Sequence, residues 1–183
     1  DELPAGRKPI ATMWLRKNQI DQVYRIIREQ VQSGSQVFAI TPLIAESEKI
    51  DLQNAEQLFV DMQKAVGNLG PVALLHGQMK PDEKDQIMRA FSDGKIAVLV
   101  STTVVEVGVD IPNATVMAIF DADRFGLSQL HQLRGRVGRG QKAAQCLLIA
   151  DPKNEQGIAR MEIMTKTNDG FLLAQKDLEM RGS

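Results

Sequence analysis

Three arginines alternate with three glycines in the sequence QLRGRVGRG, which runs from residue 132 to residue 140. A guanidinium group offers a planar fork of donors that fits phosphate oxygens, and glycine lets the backbone approach a ligand closely. Stability alone does not explain the segment, since neighbouring cations repel one another and a glycine costs a helix about 1 kcal/mol relative to alanine. The spacing of Arg134, Arg136 and Arg139 therefore predicts an anion site. The alternative is that these arginines pair with surface carboxylates and the glycines mark a loop.

No phosphate-binding loop accompanies the arginines. The pattern G-x-x-x-x-G-K-[ST] does not occur, and the DGKI sequence around Lys95 lacks both the leading glycine and the hydroxyl residue. An arginine donated across an interface stabilises the charge that develops on a transferred phosphoryl group, and it contributes roughly 10³–10⁵ in rate. We therefore interpret Arg136 and Arg139 as groups that serve a nucleotide held by another domain.

The distribution of charge fits this interpretation better than the net charge does. The 183 residues carry a formal net charge of −1, and 43% apolar and 25% charged residues are typical of a soluble globular domain. Residues 124–142 nevertheless contain five basic side chains and no acid, whereas residues 96–123 contain four acids and no base. A focused anion site produces such asymmetry.

The sequence lacks the motifs of several other catalytic and metal-binding sites. It contains no H-E-x-x-H, C-x-x-C or G-x-S-x-G pattern, and His76 and His131 are too far apart to suggest a metal site. Cys146 is the single cysteine and lies in an apolar run, which predicts a buried strand residue and no disulfide. No apolar run approaches the length of a membrane span and nothing resembles a signal peptide, so we expect no membrane partner and a cytoplasmic location.

Short apolar runs alternate with amphipathic segments along the chain. The predicted strands are QVFAIT, VALL, KIAVLVS, ATVMAIF and AAQCLLIA, and the predicted helices cover residues 18–32, 52–66, 81–91 and 127–137. This alternation indicates an α/β fold in which helices cover both faces of a parallel sheet. We expect the α/β domain to occupy residues 1–150. The remaining residues, 151–183, predict a helical hairpin with a turn at TNDG.

Four unusual segments are placed next to predicted strands. HGQM, TTVVEVGVD and DADRFG each follow a strand directly, and the glycine–arginine segment leads into the last strand. Ligands of open parallel sheets bind at the carboxyl ends of the strands. We therefore expect all four segments to line the carboxyl edge of the sheet.

The same segments resemble signature motifs of superfamily 2 helicases. QLHQLRGRVGRG is similar to their sixth motif, VSTTVVEVGVDIPNATVMAI to their fifth, and LHGQMKPDEKDQIMRAF to the segment before it. The resemblance covers residues 38–150 and implies a RecA-like second motor domain, which pairs with a first domain that carries the Walker motifs. DRFGLSQLHQLRGRVGRG is shared by RecG helicases and the transcription-repair coupling factor. ITPLIAESEKIDLQNAE and the tail TNDGFLLAQKDLEMRG resemble RecG more closely.

The resemblance implies which residues contact nucleotide. Arg136 and Arg139 would be the arginine fingers. Four further residues of the fifth and sixth motifs would lie near nucleotide: Gln132, Gly135, Gly108 and Asp110. Asp110 would accept a hydrogen bond from a ribose hydroxyl, although its alternative role is to cap a turn before the following proline.

The resemblance also implies residues for nucleic acid and for coupling. The nucleic-acid contacts would come from Thr102, Thr103, His76 and Gly77. The threonines would offer hydroxyls and amides to a DNA phosphate, or alternatively they only favour the strand. Arg160 and Arg181 would be the arginines through which the hairpin couples nucleotide state to DNA movement, with simple solvation as the alternative.

The implied ligands are ATP with Mg²⁺, held mainly by a first motor domain that this sequence lacks. We expect the isolated chain to be inactive, because it has neither the Walker lysine nor the metal-binding acid. The implied partner is duplex and branched DNA, which RecG-type proteins remodel at stalled forks and junctions. Two other functions fit the same residues: the translocase domain of a coupling factor, and a non-catalytic nucleic-acid-binding module of the same fold.

Overall fold

The computed structural model describes residues 9–43, 47–102, 111–167 and 170–181. Within these ranges six strands form one sheet, in the spatial order β1-β6-β5-β2-β4-β3, and all neighbours pair in parallel. The strands are β1 Ala11–Leu15, β2 Gln36–Thr41, β3 Val72–Leu75, β4 Val98–Thr102, β5 Ala114–Phe120 and β6 Gln145–Ile149.

Helices cover both faces of this sheet. They are α1 Ile20–Gln32, α2 Glu48–Val66, α3 Pro81–Ser92, α4 Leu127–Arg134, α5 Glu155–Lys166 and α6 Gly170–Arg181. The predicted α/β class, with a parallel sheet and helices on both sides, is confirmed. Helices α5 and α6 pack against α4, and α5 also packs against β1.

Alternate residues of the central strands contribute to two separate layers of the core. In β2, Val37 and Ala39 pack beneath α1 and α2, whereas Phe38 and Ile40 face the layer formed by α3, α4 and α5. All six residues of β2 are buried, because a central parallel strand is covered on both faces. The continuous apolar runs in the sequence follow from this double coverage.

The edge strand β1 was not predicted from the sequence. It pairs with β6 in a register that runs from Ala11 opposite Gln145 to Leu15 opposite Ile149. Only Leu15 of this strand is fully buried, since an edge position leaves most of the strand partly exposed. The sequence ATMWL therefore lacks the continuous apolar character that revealed the other strands.

Two predicted helix boundaries were wrong by three residues or more. Helix α2 begins at Glu48 instead of residue 52, because the Ser47 hydroxyl accepts a hydrogen bond from the Ile50 amide and caps the helix. Helix α4 ends at Arg134 instead of residue 137. Gly135 caps it, and Gly138 has a φ of +77°, which lies outside helical backbone.

Candidate nucleotide and nucleic-acid sites

Residues 135–140, which carry the two predicted arginine fingers and are called the finger segment below, lie at the amino edge of the sheet. Strand β5 ends at the carboxyl edge, helix α4 runs back across the face, and β6 starts again beside β5 in parallel. A Cβ atom on Gly140 would come 2.6 Å from the carbonyl oxygen of Pro112, and one on Gly138 would come 3.0 Å from Ile10. Pro112 and Ile10 directly precede β5 and β1. The expectation that this segment lines the carboxyl edge was therefore wrong.

Hydrogen bonds fix the chain after the finger segment to the same edge. The Lys142 ammonium group donates to Oδ1 of Asn113 at 2.8 Å and to Oγ of Ser35 at 3.3 Å. The side-chain nitrogen Nδ2 of Asn113 donates in turn to the carbonyl oxygen of Gly34 and to Oε1 of Gln36. These contacts join the start of β6 to the starts of β2 and β5. The finger segment is therefore held at both ends, by helix α4 before it and by these hydrogen bonds after it.

The residues expected near nucleotide lie on or beside this segment. Arg136 is half-buried, whereas Arg139 is exposed and its Nε donates to the carbonyl oxygen of Gly135 at 2.8 Å. Gln132 lies on the last turn of α4 and is exposed. Gly108 and Asp110 fall outside the described residues. Their roles remain predictions.

The third arginine of the motif has a different environment. Arg134 is 2% exposed, and its Nη1 donates to the carbonyl oxygen of Met164 at 2.8 Å and to Oγ1 of Thr12 at 3.1 Å. Its Nη2 donates to the carbonyl oxygen of Thr167 at 2.9 Å. Burial lowers the pKa of this guanidinium below its usual value, and its interaction with Cys146 opposes that shift. Arg134 therefore ties α4 to β1 and to the carboxyl end of α5.

The sequence analysis grouped Arg134 with Arg136 and Arg139 at an anion site and did not predict its buried contacts, although a signal for them was present. Leu127, Leu130 and Arg134 follow the three-to-four-residue spacing of one helical face, and all three are buried. A charged residue at an apolar position of an amphipathic helix indicates a side chain that meets buried acceptors.

A cleft opens at the carboxyl edge, where β2, β3 and β4 end. Its volume is about 710 Å³, and it brings together three of the residues expected to bind nucleic acid, His76, Gly77 and Thr102. The other lining residues are Leu43, Glu48, Asp51, Leu52 and Gln78. Thr103 lies outside the described residues. The expected placement of the segments around His76 and Thr102 at one edge agrees with the topology, and their binding role remains a prediction.

The polar groups of this cleft are unevenly arranged. Nδ1 of His76 accepts a hydrogen bond from the Gln78 amide at 3.2 Å, so the proton of a neutral ring resides on Nε2, which is then a donor. Glu48 and Asp51 of α2 also line the cleft, and the side-chain nitrogen of Gln78 donates to Oε2 of Glu48 at 3.5 Å. An anionic ligand can accept a hydrogen bond from Nε2 of His76, whereas the carboxylates of Glu48 and Asp51 disfavour an anion beside α2.

A polar depression of about 350 Å³ lies at the carboxyl edge near the ends of β1, β5 and β6. Lys17 forms an ion pair with Asp121 at 2.8 Å, and the hydrogen bond between them raises the pKa of Lys17. Arg160 of α5 lines the same depression, and its Nη2 donates to the carbonyl oxygen of Asp123 at 2.7 Å. Arg160 is thus partly buried against the segment after β5. Arg181 ends α6, and its side chain is not among those described.

The described residues contain neither a candidate metal site nor a candidate membrane-spanning helix. Their His, Cys, Asp and Glu side chains form no group of three that could hold a metal ion. None of the helices in these ranges combines the length and apolar character needed to cross a membrane.

Known proteins resemble this chain over its whole length. The model of the helicase conserved C-terminal domain matches residues 18–141. The ATP-dependent DNA helicase RecG of Streptococcus pneumoniae is 58% identical over 183 residues, which covers all of this chain and 27% of that protein. The protein of the same name from Bacillus subtilis is 54% identical, and this chain again covers 27% of its length. The chain therefore spans about a quarter of the length of these curated relatives.

Solved structures resemble it as well. The structure of RecG bound to a three-way DNA junction matches 97% of this chain and 23% of that one, with a TM-score of 0.82 and 41% identity. Dbp5 of S. cerevisiae, bound to RNA and ADP BeF3, matches 99% of this chain and 48% of its own with a TM-score of 0.60. At 16% identity, this second match indicates a shared RecA-like fold alone. The chain belongs to the helicase conserved C-terminal domain family, and its sequence is of the RecG type.

Proposed function

We propose that this chain is the second motor domain of an ATP-dependent translocase that moves on duplex DNA, remodels stalled replication forks and branch-migrates junctions. The observation that carries the proposal is its similarity, over the whole chain, to relatives named ATP-dependent DNA helicase RecG. In this proposal residues 1–150 form the motor domain and residues 151–183 form the coupling segment. A first domain that bears Walker motifs is its partner in the same polypeptide.

The geometry of the finger segment supports a role at a nucleotide. Arg136 and Arg139 lie on a loop whose two ends are fixed, by the cap of α4 and by the Lys142–Asn113 hydrogen bond. A fixed loop places donors without reorganising at the moment of reaction, which is what electrostatic catalysis of phosphoryl transfer requires. Pro112, which follows the predicted Asp110 contact by two positions in the sequence, lies directly beside Gly140 of the loop.

The described residues suit the phosphates of ATP but not the Mg²⁺ ion. Guanidinium groups suit the phosphates, and the described residues offer no cluster of acids for the metal. Arg136 and Arg139 would therefore hold phosphate oxygens, while the metal and most of the nucleotide would be held by the Walker-bearing domain. ATP hydrolysis supplies the energy, and this chain contributes donors that are withdrawn when the cleft between the two domains opens.

The carboxyl-edge cleft is the proposed DNA contact. His76, Gly77, Thr102 and Thr103 would hold backbone phosphates, and such contacts position a duplex without reading its bases. Aromatic residues make up 4% of the sequence, which offers few surfaces for base stacking. We therefore expect weak dependence of binding on DNA sequence.

The full-length protein that carries this domain tests the proposal. Arg139→Ala is expected to lower the maximal rate of DNA-stimulated ATP hydrolysis by roughly 10³–10⁵, while DNA affinity changes little. Arg89→Ala is the matched control, because Arg89 is an exposed arginine on α3 that lies away from the finger segment.

The opposite result would point to a different function. If Arg139→Ala left turnover unchanged and only made DNA binding weaker and less salt-sensitive, the chain would be a nucleic-acid-binding module. The isolated 183-residue chain is expected to hydrolyse ATP at background rates, and strong DNA-stimulated hydrolysis by it would contradict the two-domain proposal.

A further inference from the structure

Asn113 directly precedes β5 and joins three segments of the chain at the amino edge of the sheet. Its Oδ1 accepts a hydrogen bond from Nζ of Lys142 at 2.8 Å, and its Nδ2 donates to the carbonyl oxygen of Gly34 at 2.8 Å and to Oε1 of Gln36 at 3.2 Å. Its backbone carbonyl oxygen also accepts a hydrogen bond from the backbone amide of Gln36 at 2.9 Å. One half-buried residue thus connects the chain after the finger segment to the start of β2.

The partners of Asn113 require an amide at this position. The ammonium group of Lys142 can only donate and the carbonyl oxygen of Gly34 can only accept, so the oxygen of the carboxamide faces the lysine and its nitrogen faces the glycine. A carboxylate at position 113 would face the Gly34 oxygen with a second acceptor, and an apolar side chain would offer nothing to either partner. The carboxamide therefore serves a donor and an acceptor at once.

Gln36 links this arrangement to the interior of the domain. It is 4% exposed and begins β2, the strand that lies between β5 and β4. Its Nε2 donates to the carbonyl oxygens of Phe91 at 2.6 Å and Ile96 at 2.8 Å, which leaves its Oε1 to accept from Asn113. Phe91 belongs to the last turn of α3, and Ile96 lies two residues before β4. The side chain of Asn113 is therefore fixed to a buried residue of the central sheet.

The finger segment ends close to this anchor. Lys142 follows Gly140 by two positions, and a Cβ atom on Gly140 would come 2.6 Å from the carbonyl oxygen of Pro112, the residue before Asn113. Without the Asn113 side chain, the Lys142 ammonium group would keep only its longer hydrogen bond, to Oγ of Ser35 at 3.3 Å. The end of the finger segment would then lose its shortest side-chain connection to the start of β5.

We propose that Asn113 is a positioning residue for ATP hydrolysis, which fixes the finger segment relative to β2 so that Arg136 and Arg139 meet the transferred phosphoryl group. This inference rests on the proposed function, because it needs arginines that act on ATP. Asn113 does not touch nucleotide in this scheme. Since a misplacement of about 1 Å costs up to about 10²-fold in rate, loss of its side chain lowers kcat. The KM for ATP stays unchanged, because the Walker-bearing domain holds most of the nucleotide.

The test compares Asn113→Ala with Thr115→Val in the full-length protein that carries this domain. Thr115 is buried two residues further along the chain, and its hydroxyl donates to Oε1 of Gln30 at 2.7 Å. Thr115→Val therefore removes a hydrogen bond at the same edge that does not lead to the finger segment. The kcat and KM of DNA-stimulated ATP hydrolysis are measured on variants whose circular dichroism shows that they are folded. Asn113→Ala is expected to lower kcat roughly 10²-fold at constant KM, and Thr115→Val should leave both constants unchanged.

A double-mutant cycle with Lys142→Met separates positioning from a general loss of stability. Both substitutions remove the hydrogen bond between Asn113 and Lys142, so the variant that carries both should hydrolyse ATP no more slowly than Asn113→Ala alone. Lys142→Met also decides the matter if the alanine variant does not fold, because Lys142 is exposed and its replacement leaves the core intact. It is then expected to lower kcat at constant KM.

The inference is overturned if folded Asn113→Ala keeps the kcat of the wild type, if Thr115→Val lowers kcat equally, or if the effects of the two single substitutions multiply in the double variant. An unchanged kcat in Lys142→Met overturns it when the alanine variant does not fold. Failure of the proposed function would be recognised separately, because Arg139→Ala would then also leave hydrolysis unchanged or the wild type would show no DNA-stimulated hydrolysis.

Discussion

Gly140 lies so close to Pro112 that a Cβ atom on the glycine would come within 2.6 Å of the proline carbonyl oxygen. This approach joins the finger segment to the residues that directly precede β5. The two segments are 28 positions apart in the sequence, and they meet because both lie at the amino edge of a parallel sheet. The absence of a side chain at position 140 is thus a packing requirement of the loop that carries the arginines.

Gly140→Ala is expected to destabilise the protein by about 1–3 kcal/mol, the usual cost of overpacking a site that cannot relax. The added methyl group meets a backbone carbonyl, which yields less readily than a flexible side chain. Urea unfolding of the variant and the wild type measures the change. Gly135→Ala is the matched control, since its Cβ would meet atoms no closer than 3.5 Å and the free energy of unfolding should change by less than about 0.5 kcal/mol. Equal stabilities for the two variants would contradict the close contact.

Lys142→Met tests whether the finger segment is held by its second anchor. The substitution keeps an unbranched side chain but removes the hydrogen bonds to Asn113 and Ser35. We expect a loss of about 0.5–1.5 kcal/mol in the free energy of unfolding, together with slower ATP hydrolysis in the full-length protein. The control is Lys49→Met, at an exposed position on α2. If both methionine variants behaved like the wild type, the Lys142 contacts would have no part in positioning the loop.

The sequence predicted those strands that are marked by a continuous run of apolar residues. QVFAIT and ATVMAIF coincide with β2 and β5, because strands buried on both faces require continuous apolar runs. The edge strand β1 escaped prediction, because Thr12 interrupts the apolar run of ATMWL.

The edge of the sheet at which the arginines lie depends on the direction of the chain at that point. The glycine–arginine residues themselves do not indicate that direction. The glycine–arginine segment was expected at the carboxyl edge because it adjoins a strand. It adjoins the start of that strand, however, and helix α4 has by then returned to the amino edge. The helical spacing of Arg134 indicates burial, but its acceptor at Met164 lies 30 residues away, so only the tertiary structure could identify that acceptor.

His76→Ala is expected to weaken the binding of the full-length protein to DNA. Loss of a hydrogen bond to a charged phosphate costs about 1.5–3 kcal/mol, and the effect should be the same for unrelated DNA sequences because the contact is to the backbone. Fluorescence anisotropy with two duplexes of different sequence measures both points. Gln86→Ala, at an exposed position on α3, is the control. Unaltered affinity in the His76 variant would remove that residue from the proposed DNA cleft.

Cys146 lies on β6, fully buried and close to Arg134. Burial raises the pKa of its thiol from 9.0 to about 12, while the Arg134 charge opposes that shift. The folded protein therefore keeps the proton over a range of pH in which the unfolded chain releases it. Because the folded state then binds more protons than the unfolded state, stability must fall as pH rises through this range.

The thiol contribution can be isolated by comparing the wild type with Cys146→Ala. The contribution is fully present below about pH 9 and is lost progressively between about pH 9 and pH 12, at about 1.4 kcal/mol per pH unit. Titrations common to both proteins cancel in the difference between their free energies of unfolding. Urea unfolding at pH 8 and pH 10 should therefore show the advantage of the wild type shrinking by about 1.4 kcal/mol. A constant difference between the two proteins would mean that the thiol titrates in the folded state much as it does in the unfolded chain. The site around Arg134 would then be more open to water than its hydrogen bond to the buried carbonyl oxygen of Met164 implies.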